Sequence, residues 1–162
     1  MDLNKFTQKA QEAVLASQTL AREYNHQQIE PAHLLLALLN QSDSAVPVLI
    51  TQLAGSTDVI RQELQRELQD RPKVYGANLG EPGLSRDASV ALDGAERYAK
   101  GMGDEYISTE HLLLGLTDST EGKRLAQFGL TKDAILKGLR DLRGSQSVTS
   151  QNPESTFQGF GW

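Results

Sequence analysis

One run of residues occurs twice in this chain of 162 and limits what the chain can become. Ile29-Glu30-Pro31-Ala32-His33-Leu34-Leu35-Leu36-Ala37-Leu38 returns 78 positions later as Ile107-Ser108-Thr109-Glu110-His111-Leu112-Leu113-Leu114-Gly115-Leu116. A run this apolar, recurring at a fixed offset, marks a duplicated structural unit rather than a duplicated catalytic centre. The period is too long for one helix–turn–helix, so each unit holds several helices. The duplication extends upstream. Residues 6–38 laid on 84–116 without a gap give nine identities in 33 positions, where ordinary residue usage gives roughly two.

Apolar and small side chains fall at Ala10, Ala13, Val14, Ser17, Leu20, Ala21 and Tyr24, the 3,4 spacing of an amphipathic helix. Thr7 suits its N-cap. Pro31 suits the first turn of a second helix, where its missing amide would be unpaired anyway. A third helix spans Ala45 to Ala54, and a fourth, capped by Ser56 or Thr57, carries Val59, Ile60, Leu64 and Leu68. Residues 72–83, rich in proline and glycine, read as an extended or loosely ordered connector. The pattern then restarts at Leu84-Ser85, as it began at Phe6-Thr7. Ala88, Ala91, Leu92, Ala95, Tyr98, Ala99 and Met102 form its first stripe, a segment from Thr117 to Phe128 follows the Leu run, and Ala134, Ile135, Leu139 and Leu142 mark the last helix. The expected fold is all-α: two four-helix repeats, 6–71 and 84–146, eight helices in one compact domain over 1–146, with no convincing strand. Alike faces pack about a pseudo-two-fold axis. Residues 147–162 are polar with scattered glycines and read as a flexible linker or tail.

Composition narrows the function. The absence of cysteine excludes disulfides, thiolate metal sites and cysteine catalysis. A net charge of −5, with both signs mixed along the chain, argues against a nucleic-acid or anionic-membrane partner. The longest apolar run, Leu34 to Leu39, is far too short to span a bilayer. No signal pattern opens the sequence, so the expected compartment is the cytoplasm.

The catalytic constellations sought are missing. Neither a Gly-x-Ser-x-Gly elbow nor a phosphate-binding glycine loop is present. Of the three histidines, His26, His33 and His111, the latter two have no downstream partner at metal-ligand spacing, and the residues three before them, Glu30 and Ser108, do not match; those two read as hydrogen-bonded core or core-edge residues near a helix start. Asp104, Glu105 and Glu110 read as a solvated turn and a helix N-terminus, where acids suit the dipole. What remains is surface for other polypeptides, because a groove forms where two repeats meet and such grooves accept extended or helical segments. Leu92, Tyr98 and His111 are candidates to line it, against the competing reading that they are core.

The doubled Phe-Thr…Ile-x-x-x-His-Leu-Leu-Leu unit resembles the Clp N-terminal (Clp R) repeat domain over residues 3 to about 146. Ile29-Glu30-Pro31, Arg71-Pro72-Lys73-Val74 and Val148-Thr149-Ser150-Gln151-Asn152-Pro153-Glu154 are similar to the branch that serves ATP-driven protein disaggregases. The resemblance implies a non-catalytic domain that engages exposed apolar segments of unfolded or aggregated polypeptides. It implies cooperation of the whole protein with the DnaK chaperone system. It also implies a homohexamer when full length and a monomer as a fragment. ATP and Mg would belong to ATPase modules outside this chain; no cofactor or metal is expected within it. Thr7, Asp104 and Glu110 match polar residues implicated in the family. Tyr106 to Leu116 is also close to the branch that docks adaptors for protease-linked chaperones, and a stand-alone regulator of a Clp protease is a third reading.

Overall fold

A computed structural model describes residues 2–76, 79–144 and 151. Among them are eight α-helices: α1 Gln8–Glu23, α2 Pro31–Asn40, α3 Ala45–Ala54, α4 Asp58–Asp70, α5 Arg86–Gly101, α6 Thr109–Thr117, α7 Gly122–Gln127 and α8 Lys132–Arg143. A 3-10 turn, Leu3–Lys5, precedes α1. The expected all-α architecture of two four-helix repeats is observed. No single helix among the described residues is long and apolar enough to cross a membrane.

The helix starts repeat as the sequence does. Thr7 Oγ1 accepts the Ala10 amide at 3.2 Å and Ser85 Oγ the Ala88 amide at 3.0 Å. Each cap satisfies an amide that has no partner in its own helix. At α2 and α6 a histidine turns back on its own cap. His33 Nδ1 accepts the Glu30 amide at 2.8 Å, and His111 Nδ1 accepts the Ser108 amide at 2.9 Å. Histidine thus takes the part that Glu or Gln plays in a capping box. The chain leaves α1 and α5 through left-handed residues 78 apart, Asn25 at φ 60° and Gly103 at φ 74°. At α4, Ser56 makes the capping contact, its Oγ accepting the Asp58 amide at 3.1 Å, while the Thr57 side chain makes none.

The described residues hold almost no strand, as expected, but two short pairings tie the repeats together. β1, Gln28–Ile29, pairs in parallel with β2, Gly83–Leu84, and Phe6 bridges Ile107 in the same sense. A shift of 78 converts Phe6 into Leu84 and Ile29 into Ile107, so each pairing is the pseudo-symmetric copy of the other. The hydrogen bonds match: Thr7 N to the Ile107 carbonyl at 2.9 Å, Ser85 N to the Ile29 carbonyl at 3.1 Å. The lead-in to each repeat's first helix therefore pairs with the lead-in to the other repeat's second helix.

The two Leu runs fill the centre. Every residue of α2 from Pro31 to Leu39 and of α6 from Thr109 to Leu116 is buried, and both helices touch partners in both repeats. Helices α5 and α6 cross so closely that a Cβ on Gly115 would lie 2.0 Å from the Ala91 carbonyl oxygen; the equivalent residue in α2 is Ala37. The repeat loosens after α6. Helix α7 has six residues where α3 has ten, and the offset falls from 78 to 75, so that Ile60, Leu64 and Leu68 correspond to Ile135, Leu139 and Arg143.

The described part of the connector has no helix before β2, yet it is fastened to repeat 1. Val74 N donates to the Asn25 carbonyl at 2.8 Å, Gln18 Nε2 to the Pro82 carbonyl at 3.3 Å, and Arg22 pairs with Glu81. The reading of 147–162 as a flexible tail falls, except for Gln151, outside the described residues.

Candidate functional site

A groove of about 380 Å³ opens where the repeats interlock. Phe6 and Lys5 come from the lead-in to α1, Ile107 from the lead-in to α6, Leu84 from β2 ahead of α5, and Leu92, Asp93 and Glu96 from one face of α5. The bridge between Phe6 and Ile107 brings two apolar side chains from opposite halves of the sequence to one place. Leu84 is 39% exposed, so the groove presents apolar surface to solvent. Its rim is polar: Asp2 and Asp93 border it, and Lys5 Nζ lies 3.4 Å from Glu96. A second hollow of about 200 Å³ shares Lys5, Glu96 and Ile107 with the first and continues to Ala99, Asp104 and Glu105.

Beside this groove lies a buried charged network. His111 Nε2 is 2.7 Å from Asp104 Oδ2, and Arg143 Nη1 is 2.7 Å from the same oxygen. Arg143 Nη2 faces Glu110 Oε2 at 3.4 Å, an ion pair rather than a hydrogen bond. Because Nδ1 of His111 accepts the Ser108 amide, its proton sits on Nε2 and is donated to Asp104. Burial works against the Arg143 charge, but Glu110 and Asp104 more than offset it, so the guanidinium holds its proton more firmly than usual.

Repeat 1 solves the same position without charge. His26 stands where repeat 2 has Asp104, and its Nδ1 is 2.9 Å from His33 Nε2. Burial, then the neighbouring imidazole and Arg71, push His33 down to about 3. Burial, then Lys73 and Arg71, also lower His26. Both rings are therefore neutral near pH 7. Ala32 stands in place of Glu110 and Leu68 in place of Arg143. The three differences belong together, since a buried carboxylate is costly unless a cation accompanies it.

The structure separates the six candidate residues. Leu92 lines the groove. Thr7 is fully buried; its hydroxyl caps α1 and its amide bonds to Ile107. Asp104, Glu110 and His111 come together, only 7%, 1% and 0% exposed, so the reading of Asp104 as part of a solvated turn is wrong, while Glu110 stands in the first turn of α6 as expected. Arg143, reaching in from α8, makes their burial tolerable. Glu105 is exposed. Tyr98 is half-buried and engaged elsewhere: its hydroxyl bonds Asp118 Oδ2 at 3.0 Å and the Lys132 ammonium lies 5.8 Å from its ring centroid. The sequence reading missed Phe6, Leu84 and Ile107 as groove residues, although the parallel of Phe6-Thr7 with Leu84-Ser85 pointed at two of them. It missed Arg143 because a basic residue in a helix's last turn looks like a partner of the dipole. Among the described residues no cluster of three or more His, Cys, Asp or Glu side chains could hold a metal ion.

Interlocked helical repeats with an apolar groove at their junction define a duplicated all-α module. The chain belongs to the Clp repeat (R) N-terminal domain family, whose model matches residues 5–129. It is 39% identical over 165 aligned positions to the chaperone protein ClpB of Clostridium tetani, covering 99% of this chain and 19% of that protein. The chain thus spans about a fifth of the length of the curated relatives it matches. The Hsp104 N-terminal domain from Candida albicans superposes with a TM-score of 0.78 at 23% identity, over 93% of this chain and 99% of that one. A ClpV N-domain solved in complex with a VipB peptide superposes with a TM-score of 0.68 at 16% identity, over 91% of this chain and 92% of that one; both likenesses show the fold.

Proposed function

We propose that this chain is the client-engaging domain of a ClpB-type chaperone, and that the groove between its repeats receives an extended apolar segment of an unfolded or aggregated polypeptide. The observation that carries this reading is the meeting of Phe6 and Ile107 with Leu84 and Leu92 in an open groove. Pockets that accept ligands are lined in this way, by apolar side chains with a few polar groups around them. The similarity to ClpB supports the chaperone context, and the ClpV N-domain shows that a module of this fold can take a peptide. In this reading Leu92 touches the client. Thr7, Asp104, Glu110 and His111 act from behind, holding Ile107 and the start of α6. ATP hydrolysis with Mg, assembly as a hexamer and cooperation with the DnaK system belong to the longer protein, in the cytoplasm.

Titration of unfolded casein into the isotopically labelled chain tests it. Amide shifts are expected at Phe6, Leu84, Leu92 and Ile107, with weak and promiscuous binding. Unperturbed amides at those four positions would overturn it. Recovery of one folded partner in a tight one-to-one complex would replace it with adaptor docking.

A further inference from the structure

The two lead-in pairings differ at their outer edges. In a parallel pair, alternate residues turn both backbone groups toward the partner strand, and the residues between them turn theirs away. Gly83 N and Ser85 N donate into β1, at the Gln27 and Ile29 carbonyls, so the Leu84 N–H and C=O face outward. In the other pairing Phe6 faces outward in the same sense, since the Lys5 carbonyl and Thr7 N bond to Ile107. Phe6 is nevertheless satisfied from within its own repeat. Its amide donates to the Leu3 carbonyl at 3.1 Å, across the 3-10 turn, and its carbonyl accepts Gln11 Nε2 at 3.1 Å. Leu84 has neither partner among the described residues. Glu81-Pro82-Gly83 form no turn where Leu3–Lys5 form one, and Ser89, too short to reach back, stands in place of Gln11. Ser89 and Leu84 both line the groove.

We propose that Leu84 is a docking edge at which an extended client segment adds as a further strand beside β2, pairing with the Leu84 amide and carbonyl while its side chains enter the groove. The proposal rests on the client-groove reading and deepens it, by naming main chain as part of what is recognised. An unpaired N–H beside an unpaired C=O on an exposed strand is a template for another chain. The body of a helix cannot fill it, because its own N–H and C=O groups are spent on each other. An extended segment offers both groups at every residue except proline. Continuity favours the same occupant, since Leu84 shares the groove with Leu92 and Ile107 and a segment paired at Leu84 continues along apolar walls. Main-chain bonds do not depend on side-chain identity, so clients of unrelated sequence pair alike. The edge is also short. Pro82, the next outward residue, has no N–H, and its carbonyl already accepts Gln18 Nε2 at 3.3 Å; on the other side Arg86 begins α5. Pairing confined to one residue keeps each engagement weak and reversible.

Amide hydrogen exchange of the labelled chain reads the contact directly. The Leu84 amide should exchange fast in the free protein. With about nine-tenths of the chain bound to unfolded casein it should slow about 10-fold, because only the free tenth exchanges. The Phe6 amide, already bonded, should keep its rate. Ser89→Gln tests the same edge from within. It supplies the side chain that covers Phe6 in repeat 1, and should weaken casein binding roughly 5-fold, the worth of one hydrogen bond. Ser89→Met, alike in length but without an amide, should cost less. Fast exchange at Leu84 in a complex that shifts Phe6, Leu92 and Ile107 would overturn the strand pairing and leave the client groove standing. Equal losses in the two Ser89 variants would do the same. Slowed exchange at Leu84 with Phe6, Leu92 and Ile107 unshifted would keep the pairing and remove the groove reading. No change at any of the four positions would overturn both.

Discussion

Arg143 occupies in the second repeat the place that Leu68 holds in the first. Both lie one turn beyond a pair of matched core residues, Ile60 and Leu64 or Ile135 and Leu139, and both are buried. One is an apolar plug; the other is the cation for two buried carboxylates. The repeats thus share a backbone plan and differ in how they fill the same space.

That correspondence predicts a transplant. Arg143→Leu alone strands Asp104 and Glu110 and should cost ~3–5 kcal/mol, the usual result of removing one partner from a buried ion pair. Asp104→His/Glu110→Ala/Arg143→Leu rebuilds the arrangement of His26, Ala32 and Leu68. It should recover most of that loss, to within about 2 kcal/mol of the parent, because replacing a whole buried network by compatible groups is often nearly neutral. Urea denaturation of the three proteins measures this.

Acid should act through repeat 1. Burial holds His33 down at about 3, well below its ordinary 6.5. The unfolded chain therefore binds a proton between pH 6.5 and 3 that the folded chain refuses, and stability falls as pH is lowered through that window. The limiting slope is ~1.4 kcal/mol per pH unit for one proton. The contribution is fully present above pH 6.5. His33→Gln keeps an acceptor for the Glu30 amide and loses the titration, so its unfolding free energy should show a shallower fall between pH 6.5 and 4.

Gly115→Ala should be among the most damaging single changes outside the charged network. The added carbon would meet the Ala91 carbonyl oxygen at 2.0 Å and the Ala95 nitrogen at 2.8 Å, both backbone atoms of α5 that cannot step aside. Separating the helices should cost about 3 kcal/mol, at the upper end for overpacking. Ala37→Gly at the equivalent place should cost ~1 kcal/mol, the ordinary propensity penalty. Thermal unfolding distinguishes the two.

For client binding, Leu92→Ala should weaken casein affinity several-fold and Tyr98→Phe should leave it unchanged, since Tyr98 is spent on Asp118 and Lys132. Glu110→Ala should weaken disaggregation by the full-length protein more than Glu30→Ala does. The reason is indirect: Glu110 supports Arg143 from a buried position, whereas Glu30 pairs with Arg71 in a partly exposed one. Equal losses in a refolding assay would remove that asymmetry.

The helices were legible because their apolar stripes recur every three or four residues and the stripe recurs after 78. The interlock was not. Its strands are two residues long, too short to show a period, and Phe6 and Ile107 are 101 positions apart. Helix α7 was blurred for a related reason, as repeat 2 shortens after Thr117 and the register fails there. Of the groove, Leu92 was found because it sits on a stripe. Asp104 and Glu110 were recognised by resemblance, but Asp104 was misplaced by chemistry: an acid in a turn is ordinarily wet, and the arginine that allows its burial lies far along the chain. Tyr98 was a reasonable candidate by residue type that packing assigns to another face of α5.

The cross-pairing of lead-in segments has a consequence for how such a module can be divided. Each repeat lends its first segment to its sibling and borrows one in return, so neither half can complete its own edge. A chain cut to a single repeat could recover both bridges only by meeting a second copy, and that meeting would be an isologous dimer with the same two contacts about a true axis. The domain is in this sense a dimer written on one chain, with the connector making permanent an exchange that two separate copies would have to find by collision.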